Sequence, residues 1–302
     1  MQTIIKNFRS QKDKAAYVAE CERAFETQLE SICDGLCAGG RLRAIALSGP
    51  TCSGKTTTAA KLIGDLSALG ADVHMISIDD FFREREALDR EAEVAGGSAP
   101  DYDSIKAVDL GLFAECTDNL LSGRRTVLPR YDFGSGQRGE GETIVPGDNS
   151  VFIFEGIQAV YPEITALLPE DAKSVFISVA DDIELNGVYF NRRDVRLMRR
   201  LVRDYKFRGA KPEFTFYIWR SVLTNEERSI NPYESGADVR INSLMPYEIF
   251  VAAGELVPLL ELVPTDSRYY PKALELEEKL GKFDPIPAGL IPNGSVLREF
   301  YG

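Results

Sequence analysis

The chain has 302 residues, 44% of them hydrophobic, with 35 Lys and Arg against 47 Asp and Glu and a formal net charge of −12. That length holds one large α/β domain with decorations or two small domains, and the acidic balance argues against a general binder of nucleic acid or anionic membrane. Five cysteines without C-x-x-C spacing, a single histidine (His74), and the lack of a membrane-length apolar run or signal-peptide core exclude several classes. Disulfide scaffolds, histidine catalysis and multi-histidine zinc sites are disfavoured; free thiols in a reducing cytoplasm are expected.

Residues from about 11 to 37 place Ala15, Val18, Ala19, Phe25, Leu29, Ile32 and Leu36 at helical spacing, with Gly39-Gly40 to end the segment. This predicts a helical N-terminal extension over 1–40, packed on a domain that occupies 41–302. Arg43 to Ser48 is a short apolar strand candidate. Gly49-Pro50-Thr51-Cys52-Ser53-Gly54-Lys55-Thr56-Thr57 follows it and reads G-x-x-x-x-G-K-[ST], the phosphate-binding P-loop. Its glycines let the backbone bend around an anion so that consecutive N–H groups point at phosphate oxygens. Lys55 then reaches the β and γ phosphates and the Thr56 hydroxyl meets Mg²⁺. A helix over 57–69, stopped at Gly70, supplies the N-terminal dipole. A glycine-rich turn without a ligand is the bland reading, and the strand and helix on either side disfavour it.

Val73 to Ile78 reads as a second strand and ends in Asp79-Asp80-Phe81-Phe82. Alternating strands and helices imply a mostly parallel sheet with ligands at the strands' carboxyl ends. One of the two aspartates is expected to cap a helix and the other to work on the ligand. Arg83 to Glu93 is a charged, solvated helix; 95–100 breaks the pattern and reads as mobile; Asp101-Tyr102-Asp103 follows; Asp109 to Leu121 is amphipathic. A hairpin is predicted over 126–145, with its turn at 134–139. Val151 to Gly156 is a continuous apolar strand, buried on both faces, and Glu155 at its end needs a cation, for which Mg²⁺ is the natural candidate. Ser174 to Val179 is a further strand.

On a helix over 191–211, Arg192, Arg193, Arg196, Arg199, Arg200 and Arg203 fall within an arc of about 120°. Such a face needs anions opposite it, either acidic side chains of the fold or, as the better match to guanidinium forks, polyphosphate. Arg208-Gly209 suggests a hinged lid. Val239 to Ser243 is one more strand, Glu248 to Leu262 a helix, and the proline-rich tail is expected to wrap over the surface.

Five motifs in order, Ser48 to Thr57, Ile78 to Phe82, Pro129 to Phe133, Phe154 to Ile157 and Arg196 to Gly209, make the chain resemble uridine kinases, which stand with phosphoribulokinases and pantothenate kinases among P-loop kinases. It looks closest to the bacterial uridine-kinase-like nucleoside kinases. The resemblance implies a P-loop NTPase three-layer α/β/α fold with a substrate-covering β-hairpin and an arginine-rich helical lid. It implies ATP and Mg²⁺ as cofactors and a small-molecule acceptor, with no nucleic acid or membrane partner and homo-oligomers left open. By the same resemblance Asp79 takes the acceptor proton beside the metal. Lys55, Arg200 and Arg203 serve the phosphates, Arg200 also touching substrate, and Thr56 and Glu155 contact Mg²⁺. Asp103 holds ribose hydroxyls, Tyr131 and Arg138 belong to the hairpin over the nucleobase, and Arg208 belongs to the lid. Two positions depart from the pattern: Gly136 stands where uridine kinases read the base with histidine, and Phe82 replaces a tyrosine. Other alcohols, such as a sugar phosphate or a pantothenate-like acceptor, therefore stay open. So does a regulatory ATPase switch, disfavoured by the absence of an N-K-x-D motif, and so does a catalytically silent binding protein, disfavoured by the intact motif residues.

Overall fold

The computed structural model describes residues 2–38, 41–94, 102 and 104–302, so Gly39-Gly40, the 95–100 segment, Asp101 and Asp103 lie outside the described residues. The strands are β1 (Gln2–Ile4), β2 (Ala44–Ser48), β3 (Asp72–Ser77), β4 (Thr126–Asp132), β5 (Gln137–Ile144), β6 (Ser150–Glu155), β7 (Lys173–Ser178), β8 (Ile183–Leu185), β9 (Val188–Phe190) and β10 (Val239–Asn242). The helices are α1 (Gln11–Ala38), α2 (Lys55–Ala68), α3 (Arg85–Val94), α4 (Leu110–Leu121), α5 (Pro162–Thr165), α6 (Arg192–Arg208), α7 (Pro212–Ser229), α8 (Glu248–Glu255), α9 (Val257–Leu260), α10 (Tyr270–Leu280) and α11 (Arg298–Tyr301).

The central sheet runs β10-β7-β2-β6-β3 and every pairing in it is parallel. Its inner strands are apolar throughout because both faces are covered. Along β2, Ile45 and Leu47 enter one core with Val175, Ile177 and helices α1, α2, α6 and α8, whereas Ala44 and Ala46 enter a second with Phe152, Phe154 and α4. The period of two sorts one strand's residues into the two helical layers. Edge strand β3 carries His74, which pairs with Asp72 at 2.9 Å and stacks on Phe152, the structural role its sequence context suggests.

Helix α1 runs the length its periodicity predicts, and Val18, Phe25, Leu29 and Cys33 are buried in the first core. Helix α6 starts at Asn191, whose side chain accepts from Asp194 N, and stops at Gly209 in the left-handed region. Three local expectations are corrected. The return strand of the hairpin begins at Gln137, so the turn is 133–136 rather than 134–139. The helix expected over 248–262 divides at Leu256, because Pro258 has no N–H to continue it. The tail does not wrap over the surface: Ile286, Ile291, Val296, Leu297, Phe300 and Tyr301 are each no more than 1% exposed. The sequence reading also missed β1 and the β8–β9 hairpin, whose turn is Asn186-Gly187 with both φ angles positive. Asn-Gly is the strongest short-range signal for such a turn and was there to be read. Among the described residues no helix is long and apolar enough to cross a membrane.

Candidate active site

Sheet register brings three loops together. Glu155, the last residue of β6, is in register with Leu47 on one neighbour and Ser77 on the other. The P-loop begins two residues after Leu47 and Asp79 lies two residues after Ser77. Adjacent strands are about 4.8 Å apart, so the loop and the aspartate flank Glu155 across a span of about 10 Å. That is room for a phosphoryl group and a metal ion. Gly156 N donates to Leu47 O at 3.1 Å and the Ser48 hydroxyl to Ile157 O at 2.8 Å, which fastens the floor of the site.

The loop's shape is over-determined. Gly54 adopts φ 88°, and a Cβ there would sit 2.3 Å from Val296 Cγ1; a Cβ on Gly49 would sit 2.0 Å from Ile177 O. Cys52 also has a positive φ of 58°, strain on the order of 1–3 kcal/mol that persists only where the surroundings hold it. Two arginines of α6 do the holding. Arg199 Nη1 donates to Cys52 O (3.1 Å) and Arg196 Nη1 to Thr51 O (3.2 Å), while Glu226 accepts from Thr51 N at 3.0 Å. These contacts fix the carbonyls of Thr51 and Cys52, and Ser53 N closes the turn on Pro50 O at 3.3 Å. Both arginines are themselves paired in bidentate fashion, Arg196 with Glu226 (2.8 and 2.6 Å) and Arg199 with Glu248 (2.7 and 2.8 Å). For these two, acidic side chains rather than polyphosphate are the anions opposite the helix, which corrects the expectation of one common phosphate-facing surface. Arg192 and Arg193 are exposed.

The other arginines gather at Asp204. Arg200 (3.1 Å), Arg203 (2.8 Å) and Arg208 (3.8 Å) all pair with its buried carboxylate. Three cations share one anion, so the cluster keeps a surplus of positive charge. Arg200 Nη1 also donates to the Thr51 hydroxyl at 3.4 Å, which puts the cluster at the loop. Arg208 lies in the exposed last turn of α6. Lys55 Nζ donates to Gly49 O (3.0 Å) and Pro50 O (3.4 Å), held across the loop's mouth.

Glu155 is held above the usual carboxylate range by burial, with Lys55 opposing that shift and Glu299 adding to it. Thr56 is exposed on the first turn of α2, and the Thr57 hydroxyl reaches Glu299 at 3.5 Å. The donors are hard oxygens, as Mg²⁺ requires. Among the described residues no three His, Cys, Asp or Glu side chains converge into a cage. An ion held by Glu155 and Thr56, with phosphate and water completing its shell, is what this donor set fits.

After β3, Asp79 and Asp80 occupy a short 3₁₀ turn, Ile78–Phe81. Asp80 accepts from Tyr131 N at 3.0 Å and lies 3.8 Å from Arg130, tying the turn to the hairpin instead of capping a helix. Asp79 lines a 470 Å³ cleft with Asp80, Phe81, Tyr131 and Phe133. Phe82, Tyr102, Tyr131 and Phe133 form an aromatic wall with ring centroids 5.1 to 6.1 Å apart. Burial and the adjacent Tyr102 phenol push the Tyr131 hydroxyl up to about 12. Arg138 pairs with Asp109 at 3.0 Å and donates to Phe82 O at 3.5 Å, so it braces the wall from behind. Asp103, expected at the ribose, lies outside the described residues. Sequence reasoning missed Glu226, Val296 and Glu299, which reach the loop from distant segments, and Glu248, which acts on it through Arg199. The only hint for Glu226 and Glu248 was the arginine face, which demanded acidic partners.

Residues 44–249, more than half of the chain, match the Phosphoribulokinase / Uridine kinase family. The chain is 32% identical over 201 residues to a uridine kinase of Saccharomyces cerevisiae, covering 66% of this chain but 36% of that protein. It is 31% identical over 199 residues to a uridine kinase of Deinococcus deserti, covering 65% of this chain and 86% of that one. The chain thus spans little more than a third of the yeast relative and most of the bacterial one. Among solved structures, a kinase of Silicibacter sp. TM1040 assigned to a fructose transport system superposes with a TM-score of 0.50 at 18% identity, over 70% of this chain and 98% of that one, a likeness of fold.

Proposed function

We propose that this chain, which belongs to the Phosphoribulokinase / Uridine kinase family, transfers the γ-phosphoryl group of ATP to the 5′-hydroxyl of a nucleoside. One observation carries the reading: three adjacent parallel strands end in the P-loop, in Glu155 and in the Asp79 turn, in register. Asp79 orients the acceptor hydroxyl and takes its proton as the new O–P bond forms and the bond from the γ-phosphorus to the bridging oxygen breaks, releasing ADP. Lys55 and the surplus charge around Asp204 stabilise the charge that spreads over the phosphoryl oxygens. Mg²⁺, held by Glu155 and Thr56 when bound, neutralises charge on the triphosphate. The aromatic wall offers a flat ring a place to stack.

The test is ADP release from ATP with and without a panel of nucleosides, sugar phosphates and other alcohols. Stimulation by a nucleoside supports the reading; hydrolysis that ignores every acceptor speaks for a regulatory ATPase. Asp79→Asn is expected to keep ATP affinity and lose about two to four orders of magnitude in kcat, the span of a general base. Turnover close to wild type in that variant removes Asp79 from its role.

A further inference from the structure

Thr58 N donates to Gly54 O at 3.0 Å and closes the first turn of α2, and the N–H groups of Lys55, Thr56 and Thr57 before it are left for an anion. A carboxylate already stands at this turn. Glu299 Oε2, from α11, lies 3.5 Å from the Thr57 hydroxyl. That distance is long for a hydrogen bond, so Glu299 acts there chiefly as a fixed charge. Its charge is felt inside the site, where it adds to the rise that burial imposes on Glu155 against the pull of Lys55. The element that carries it is held in place. Val296, Leu297, Phe300 and Tyr301 are all buried, Phe300 lies under the Arg199 guanidinium, and Tyr301 O accepts from Lys206 Nζ. Arg298 spends its guanidinium on Ile291 O and Gly302 O, so Glu299 is left to carry α11's charge to the loop.

We propose that Glu299 is a specificity-determining residue for the phosphoryl donor: its fixed charge turns away a metal-free triphosphate and admits one that carries a divalent cation. The proposal rests on the ATP reading above and not on the identity of the acceptor. The dipole and unpaired N–H groups at the start of α2 draw any anion, and Glu299 already supplies one. A bare triphosphate entering the loop meets two carboxylates, Glu155 and Glu299, where burial leaves like charges less screened than in water. With a divalent cation on its oxygens the same triphosphate brings less negative charge, and it brings a positive centre for the carboxylates to attract. A neutral amide at 299 would keep the shape and the Thr57 contact and remove only the charge. Metal-free nucleotide that bound would occupy the loop unproductively, so excluding it keeps the site open for the reactive form.

The experiment measures the Kd of ATP by titration calorimetry, once in EDTA and once with excess Mg²⁺, in the wild-type chain, Glu299→Gln and Glu299→Asp, with melting curves as the check on folding. The wild type is expected to bind ATP about ten-fold or more tightly with Mg²⁺ than without. Glu299→Gln should bind metal-free ATP about ten-fold more tightly than the wild type does, while its affinity with Mg²⁺ moves by less than about three-fold, so that the preference shrinks. Glu299→Asp, which keeps the charge, should keep most of the preference. Glu299→Ala, neutral like the amide, carries the test if the Gln variant folds poorly. Equal affinity with and without metal in the wild type overturns this inference. So does an unchanged preference in the neutral variants, or a preference lost as fully in Glu299→Asp as in Glu299→Gln. Each of these leaves the kinase reading standing. A wild-type chain that binds ATP under neither condition overturns the donor reading itself, and this inference with it.

Discussion

At the end of β6 the carboxylate of Glu155 is drawn out of water, with Lys55 as partial compensation and Glu299 adding like charge. A carboxyl group whose folded pKa is raised holds its proton more tightly in the folded state. The stability it contributes is complete below the ordinary carboxylate range and is lost as pH rises through the raised value. At neutral pH the nucleotide-free chain therefore carries this charge at a cost, which a divalent cation would relieve. Glu155→Gln is expected to raise the melting temperature of the nucleotide-free chain by on the order of 1–3 °C at pH 7, the gain shrinking toward pH 4, while turnover that depends on Mg²⁺ disappears. Thermal melts across that pH range check the sign. A variant that melts lower than wild type at pH 7 would show that Glu155 is paired for stability rather than held ready for a metal. The sequence put this carboxylate at the end of a continuous apolar strand, and there it lies.

The C-terminal tail is the element whose role was not legible. Proline-rich composition suggests a surface wrap, yet α11 lies against α6 and the P-loop. Val296 fills the space beside Gly54, Phe300 stacks under the Arg199 guanidinium at 5.1 Å, and Tyr301 O accepts from Lys206 Nζ at 2.7 Å. These residues lie beyond the stretch that matches the family, so the loop is buttressed in part by a segment outside that match. Val296→Ala is expected to cost about 2 kcal/mol of stability from lost burial and to weaken ATP binding several-fold, because the turn at Gly54 loses its backing. Denaturant titration and equilibrium nucleotide binding separate the two effects. Lost stability with unchanged affinity would reduce the tail to packing. Helix α6 shows the converse. Its existence was legible over 191–211, although it stops at Arg208 with Gly209 as its cap, but which arginines pair with Glu226 and Glu248 was not, since those partners come from α7 and α8.

Across the whole molecule one core runs from the N-terminal helix to the P-loop. Helix α1 buries Val18, Phe25, Leu29 and Cys33 with β2 and β7, and Tyr247 Oη donates to Glu22 at 2.6 Å while lying 3.2 Å from the Ser295 hydroxyl, beside Val296. Deleting residues 1–40 is accordingly expected to yield a chain that aggregates or unfolds without a cooperative transition, instead of a free-standing kinase domain, because it strips one covering from the first core. Urea melts and size-exclusion chromatography of the deletion check this; a soluble, active 41–302 fragment would make the extension dispensable. By itself the sequence determined the local matters: the period of two and of 3.6 that sets strands and helices, the glycine spacing that makes a phosphate loop, and the carboxylates left at strand ends. Those signals act within a few residues of the chain, so they survive without a fold. Only the tertiary structure decided which arginine faces an acid, what backs Gly54 and which carboxylate stands beside Thr57. Each of those depends on a partner tens to hundreds of residues away, brought close by packing that no local pattern encodes.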